Sequence, residues 1–128
     1  MNVLLWVLQV VLAVAFFAHG LLFLFPPAEM VEQMMFLPDA FRIFLGVAEV
    51  LAAIGLTLPG VTRVLPWLVS WAAAGLMIVM LGASTLHISR AEVGPAITTT
   101  VLLALLTFVA YMRWKVHPIA PRAAARAV

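Results

Sequence analysis

Cysteine is absent from the 128 residues, which removes disulfides, thiolate metal sites and dithiol redox chemistry together. Charge is nearly as scarce. Only 9% of the residues are Asp, Glu, Lys or Arg, too few to cover a domain bathed in water. The net charge of +2 comes from positives flanking apolar runs and from the C-terminal tail. Such positives suit anionic lipid headgroups, and no nucleic-acid partner is expected. Dinucleotide-binding glycine patterns, phosphate-binding loops and the Gly-x-Ser-x-Gly elbow are also missing, so soluble cofactors are not expected. No stretch alternates with a period of two over the length of a barrel strand, which excludes a transmembrane β-barrel.

What the chain has is apolar sequence: 66% hydrophobic residues and a mean hydropathy of +1.21. A spanning helix needs about 20 mostly apolar residues. Four segments of that kind are predicted, from Val3 to Phe25, Phe41 to Leu58, Val64 to His87 and Pro95 to Met112. They end respectively at Pro26-Pro27, at Pro59-Gly60, at the polar run Ser89 to Glu92 and at Arg113-Trp114-Lys115. The fold class is all-α, an integral membrane four-helix up-down bundle in one domain over 1–117, with a short, solvated, disordered basic tail over 118–128. The first segment has no Lys or Arg before it and is too long for a signal-peptide core, so it is read as a membrane helix. Between the first two spans, Met30, Met34 and Leu37 recur at i, i+4 and i+7. That spacing predicts a short amphipathic segment on the interface, either an anchor or a Met-rich lid.

Lys and Arg accumulate in cytoplasmic loops. Arg63, Arg113, Lys115, Arg122 and Arg126 fall on the side of the termini, whereas the opposite side holds only Arg42 and Arg90, beside Glu29, Glu32, Asp39 and Glu92. Both termini are therefore expected in the cytoplasm, in a bacterial-type inner or plasma membrane. Trp6, Trp67, Trp71, Tyr111 and Trp114 sit near helix ends, as interfacial belt residues do.

Glu49 is the most informative residue, because a carboxylate inside a membrane helix costs at least roughly 2.5 kcal/mol and is retained for a reason. At 100° per residue it shares a face with Arg42, Leu45, Gly46, Ala53 and Leu56, and small Gly46 and Ala53 admit a neighbouring helix. Glu49 lies roughly 12 Å, and His19 roughly 9 Å, below the same side of the bundle. Thr98, Thr99 and Thr100 enter the fourth span from that side, and His87 ends the third span there. Each has a bland alternative: Glu49 as a protonated acid holding helices in register, His19 as a bonded packing residue, His87 as an interfacial residue, and the threonines bonded to their own i−4 carbonyls. His117 reads as a surface residue.

The run Phe41-Arg42-Ile43-Phe44-Leu45-Gly46-Val47-Ala48-Glu49 and the run Leu81-Gly82-Ala83-Ser84-Thr85-Leu86-His87-Ile88-Ser89-Arg90 carry a Gly-x-x-Glu and a His followed by a basic residue. With an apolar fourth span after them, they resemble the DoxX-like family of small four-helix membrane proteins, over most of the chain to about residue 115. The resemblance implies an association with membrane redox chemistry or quinone, carried onto Glu49, His87 and Arg90. Many relatives place a Lys three residues after the Gly that ends the first span. Here Phe23 follows Gly20 at that distance and His19 precedes the Gly, so His19 is the polar substitute.

Three functions remain open. The first is an auxiliary or ligand-binding subunit, holding a quinone or similar amphipathic molecule in a polar pocket in the outer half of the bundle, with Glu49, His19, His87, Arg90, Thr100 and Arg42 as its ligand-binding residues. The second is an enzyme using Glu49 and His19 as an acid/base pair on a lipophilic substrate. The third is a small proton-coupled exporter built on Glu49. Beyond the bilayer and the ligand, other membrane or redox subunits or further copies of the chain are the expected partners. His19, Glu49 and His87 form a two-His-one-carboxylate set, but they lie on three helices without a local signature, so no metal is expected.

Overall fold

Residues 1–123 are described by the computed structural model, and among them every regular element is a helix. Prolines do most of the punctuation. Helix α1, Asn2–Leu24, stops at Phe25, whose backbone leaves the helical region ahead of Pro26-Pro27. A short α2, Ala28–Met34, starts after Pro27, and α3, Asp39–Thr62, starts after Pro38; both prolines sit at N-cap positions in extended conformation. Within this connection Met30, Met34 and Leu37 are its more buried members, as an amphipathic segment requires.

Helix α3 does not stop at Leu58. It continues through Pro59 to Thr62 and ends at Arg63, whose left-handed φ of 59° breaks the helix. Pro59 removes one backbone hydrogen bond near a helix end, while packing of Trp6 and Ile119 over Gly60 holds the last turn in place. Helix α4, Leu68–Ser89, and helix α5, Val93–Tyr111, complete the bundle, and α5 runs into one π-helical turn, Met112–Val116. With the π turn counted as part of the last one, the four spans are 22 to 24 residues long, enough to cross the hydrocarbon. The protein is an integral membrane protein, and its many exposed Val, Leu, Ile and Phe side chains face lipid.

Packing divides the helices into two hairpins, α1 with α3 and α4 with α5. Gly20 and Gly46 let α1 and α3 meet almost backbone to backbone: a Cβ on Gly20 would come within 2.9 Å of Gly46 O. Leu12, Phe16, Ala53, Leu56, Leu76, Met80 and Leu106 fill the middle of the bundle.

The two ends are built differently. At the end that carries the termini, Gln9 donates to Leu56 O at 2.7 Å and accepts from Arg113 Nε at 2.6 Å, and Arg113 also donates to Asn2 Oδ1 at 2.7 Å. These buried bonds tie α1 to both α3 and the π turn after α5. The segment after α5 folds back over this end: Arg63 Nε donates to Ala120 O at 2.9 Å, and the Arg122 amide donates to Arg63 O at 2.9 Å. Within the expected tail, Ile119 packs on Gly60, and Ala120 and Arg122 bond Arg63, while residues 118 and 120–123 are exposed. Residues 124–128, with Arg126, fall outside the described residues. At the opposite end, which carries α2, the side-chain hydrogen bonds among the described residues stay within one hairpin or the other. The hairpins are pinned at one end and part at the other.

Candidate functional site

Where the hairpins part, a cavity of about 860 Å³ opens, lined by all four long helices and by Phe36 and Leu37 of the α2–α3 connection. Its wall is mostly apolar, with Phe16, Phe23, Phe41, Phe44, Leu45, Met80 and Leu86 among its residues. Phe44, Ile78 and Gly82 both line the cavity and face outward, so the space opens toward lipid between α3 and α4.

The polar centre is the contact between His19 and Glu49. His19 Nδ1 lies 2.6 Å from Glu49 Oε2, across the α1–α3 seam. The register follows from the glycines: His19 immediately precedes Gly20, and Glu49 stands one helical turn beyond Gly46. Glu49 is 1% exposed, whereas the His19 side chain is 49% exposed and makes up part of the cavity surface. A lone carboxylate at this depth would be costly, and the imidazole allows the pair to be neutral overall. His19 Nε2 has no hydrogen-bond partner among the described residues.

This arrangement fixes what His19 can do. With one proton between Nδ1 and Oε2 and another on Nε2, the pair is neutral and Nε2 donates. With the Nε2 proton gone, the pair carries one negative charge and Nε2 accepts. The site can therefore bond either a carbonyl or a hydroxyl oxygen.

The other predicted residues separate into two groups. His87 lines the same cavity but does not meet His19 or Glu49; its Nδ1 lies 2.5 Å from Glu92 Oε2. Thr98 and Thr99 line the cavity and bond back to Gly94 O and Pro95 O, and Thr99 also accepts a 2.9 Å bond from Ser84. Thr100 bonds Ala96 O at 2.7 Å and faces a smaller neighbouring pocket of about 450 Å³, which His87 and Glu92 also line. Arg42 donates to Phe23 O and lies 3.5 Å from Asp39, bracing α3 to α1. Arg90 Nε lies 3.1 Å from Glu92 Oε1, and the guanidinium stands 4.4 Å over the ring of Phe36. It bridges the α4–α5 turn to the cavity wall at Phe36. Among the described residues no three His, Asp or Glu side chains converge on a metal position.

In the sequence Glu92 reads only as a charge in the polar run after the third span. The turn explains its place beside His87: Ala91 has a left-handed φ of 56°, its amide donates to Ile88 O at 3.0 Å, and the Glu92 amide donates to His87 O at 2.9 Å. This double closure ends the helix and folds Glu92 back over its last turn. The hydrogen bond to His87, with Arg90 adding to it, holds the Glu92 carboxyl below its ordinary value. Gln9 and Arg113 were also missed. A single Gln in an apolar run has no local pattern, and Arg113 resembles any flanking positive charge.

The model of the DoxX-like family matches residues 7–110. No curated protein and no solved structure matches the chain.

Proposed function

We propose, for a chain that belongs to the DoxX-like family, that it is a ligand-binding or auxiliary subunit linked to membrane redox chemistry, holding a quinone or similar amphipathic molecule in the cavity between its hairpins. The observation that carries this reading is the His19–Glu49 pair, which leaves one imidazole nitrogen without a partner among the described residues on a mostly apolar wall. A quinone, when bound, supplies reversible two-electron, two-proton chemistry. The residues of the chain fit such a head: Nε2 of His19 would bond the carbonyl oxygen of the oxidised ring or the hydroxyl of the reduced one, and Glu49 would orient the imidazole and take up or return the proton at Nδ1. Apolar side chains on four helices enclose the ring. The tail leaves between α3 and α4, past Phe44, Ile78 and Gly82, which line the cavity and are exposed on the outside of the bundle.

Arg42, Arg90 and Thr100 hold the walls in this reading: Arg42 braces the α1–α3 hairpin, Arg90 holds Phe36, and Thr100 bonds Ser84 of α4. An exporter would need a polar path through the bundle. Leu12, Leu56, Leu76 and Leu106 fill the space between Glu49 and the Gln9–Arg113 network, which favours binding over transport. The orientation that follows the Lys and Arg count puts the termini in the cytoplasm and the cavity on the opposite side of a bacterial-type inner or plasma membrane. Native mass spectrometry of the gently purified protein tests the reading. A lipophile retained by the wild type and lost from Glu49→Gln is expected; identical content in both contradicts it.

A further inference from the structure

The two ends of the bundle differ in how their positive charges are balanced. At the α2 end both arginines are ion-paired, Arg42 with Asp39 at 3.5 Å and Arg90 with Glu92 at 3.1 Å. At the end that carries the termini, Arg63, Arg113, Lys115 and Arg122 have no carboxylate partner among the described residues. The acidic side chains of the sequence are Glu29, Glu32, Asp39, Glu49 and Glu92, and all lie in the half of the bundle that holds the cavity or in the loops beyond it.

Arg113 is the member of this basic set that water does not reach. It is 5% exposed, whereas Trp114 and Lys115 beside it in the π turn are exposed. Every acceptor it meets is neutral: Gln9 Oε1 at 2.6 Å from Nε, and Asn2 Oδ1 at 2.7 Å and His117 O at 3.2 Å from Nη1. Nη2 is buried and has no partner among the described residues. On one face the guanidinium carbon stands 5.2 Å over the Trp6 ring. A guanidinium stays protonated, so a full positive charge is buried here with three of its five donors used and no counter-ion, which is strongly unfavourable.

We infer that Arg113 is a binding site for a phosphate group, supplied by the headgroup of an anionic lipid. One phosphate oxygen bonds Nη2, and a second bonds Nη1 in place of the 3.2 Å contact with His117 O, which completes the two-pronged match of guanidinium and phosphate. Charge selects the lipid. A water molecule or a zwitterionic headgroup offers an acceptor but no net charge, whereas a headgroup of charge −1 answers both needs. Depth fits as well: Arg113 stands three residues, roughly 4.5 Å, inside the end of its span at Val116, where Tyr111 and Trp114 are exposed as interfacial residues. The groups that cap Nη1 sit at accessible points of the chain, Asn2 in the exposed first turn and His117 next to exposed Pro118, so a small shift of either admits an oxygen. The site is separate from the cavity, and its test leaves the His19–Glu49 pair untouched.

The test follows thermal unfolding of the full chain in detergent while phosphatidylglycerol, phosphatidylcholine with the same tails, or inorganic phosphate is added, and reads each affinity from the rise in Tm. The wild type is expected to bind phosphatidylglycerol about tenfold more tightly than phosphatidylcholine, the worth of one hydrogen bond to a charged group. Arg113→Gln keeps a donor for Gln9 but no charge, and is expected to lose that preference while binding phosphatidylcholine as the wild type does. Gln9→Leu/Arg113→Met removes the charge together with its closest acceptor, and is expected to lose the preference too, so the test stands even where the single variant does not fold. Lys115→Gln, which removes an exposed charge from the same turn, is expected to keep the preference in full. Equal affinities in the wild type, a preference kept without Arg113, or one lost in Lys115→Gln as in Arg113→Gln overturns the site. Inorganic phosphate is expected to leave the Tm unchanged; stabilisation by it as strong as by phosphatidylglycerol overturns the lipid as the source of the phosphate.

Discussion

His19 Nδ1 and Glu49 Oε2 lie 2.6 Å apart because Gly20 and Gly46 allow the backbones of α1 and α3 to touch just beside them. The bond that carries the proposed chemistry is thus set by two residues that have no side chain. Its consequences for stability and for binding can be separated.

Glu49→Gln keeps a group that can bond Nδ1 but cannot take up its proton. Its thermal stability is expected to stay close to that of the wild type, while affinity for a short-tailed quinone falls about tenfold or more. Glu49→Ala removes the partner altogether and is expected to destabilise the fold by about 1 to 3 kcal/mol. Thermal unfolding in detergent, run beside the binding titration, distinguishes the two substitutions.

Gly20→Val is expected to lower both stability and affinity, since even a Cβ there would lie 2.9 Å from Gly46 O, a backbone atom that cannot step aside. The cost of such overpacking is about 1 to 3 kcal/mol. Gly82 is the control. A Cβ on it meets nothing within 4 Å, so Gly82→Ala is expected to leave stability unchanged, whereas a bulky Gly82→Phe narrows the opening to lipid and slows entry of long-tailed ligands. Stopped-flow binding with long and short tails measures the difference.

The Gln9–Arg113 bond at 2.6 Å pins the hairpins at the end opposite the cavity. Gln9→Leu leaves the buried Arg113 guanidinium without its closest acceptor and is expected to cost about 1.5 to 3 kcal/mol, as the loss of a buried hydrogen bond to a charged group does. The double variant Gln9→Leu/Arg113→Met removes the stranded charge and is expected to be more stable than Gln9→Leu alone. Chemical denaturation of both checks the order.

Much of this was legible in the sequence because it rests on long, local patterns. The Pro-Pro stop after α1, the Met30–Met34–Leu37 spacing and the small residues around Glu49 are all read along one segment, and simple helix geometry places His19 and Glu49 at one depth. What escaped depends on contacts between distant residues. Gln9 and Arg113 are 104 residues apart, and nothing near either announces the other. The His87–Glu92 pair is only five residues apart, yet it depends on a left-handed turn at Ala91, where Gly is the residue usually expected. The passage of α3 through Pro59 likewise depends on Trp6 and Ile119 packing over the final turn.

Acid is expected to loosen the α4–α5 turn. The Glu92 carboxyl is held below its ordinary value of 4.5, first by its bond to His87 and also by Arg90, so its contribution is fully present above that value and is lost as the pH falls through the depressed one. Glu92→Gln lacks the titrating group. The stability gap between wild type and this variant is expected to be constant near neutral pH and to shrink in acid. A gap that widens on acidification contradicts the pairing.

The account is tested most directly by infrared difference spectroscopy of a short-tailed quinone labelled with ¹³C at its carbonyls, added to the protein in nanodiscs. A carbonyl band moved to lower frequency by hydrogen bonding, together with a Glu49 carboxyl band that changes in step and disappears in Glu49→Gln, is the expected result. A carbonyl band identical in wild type, His19→Phe and Glu49→Gln contradicts a head group held by the His19–Glu49 pair.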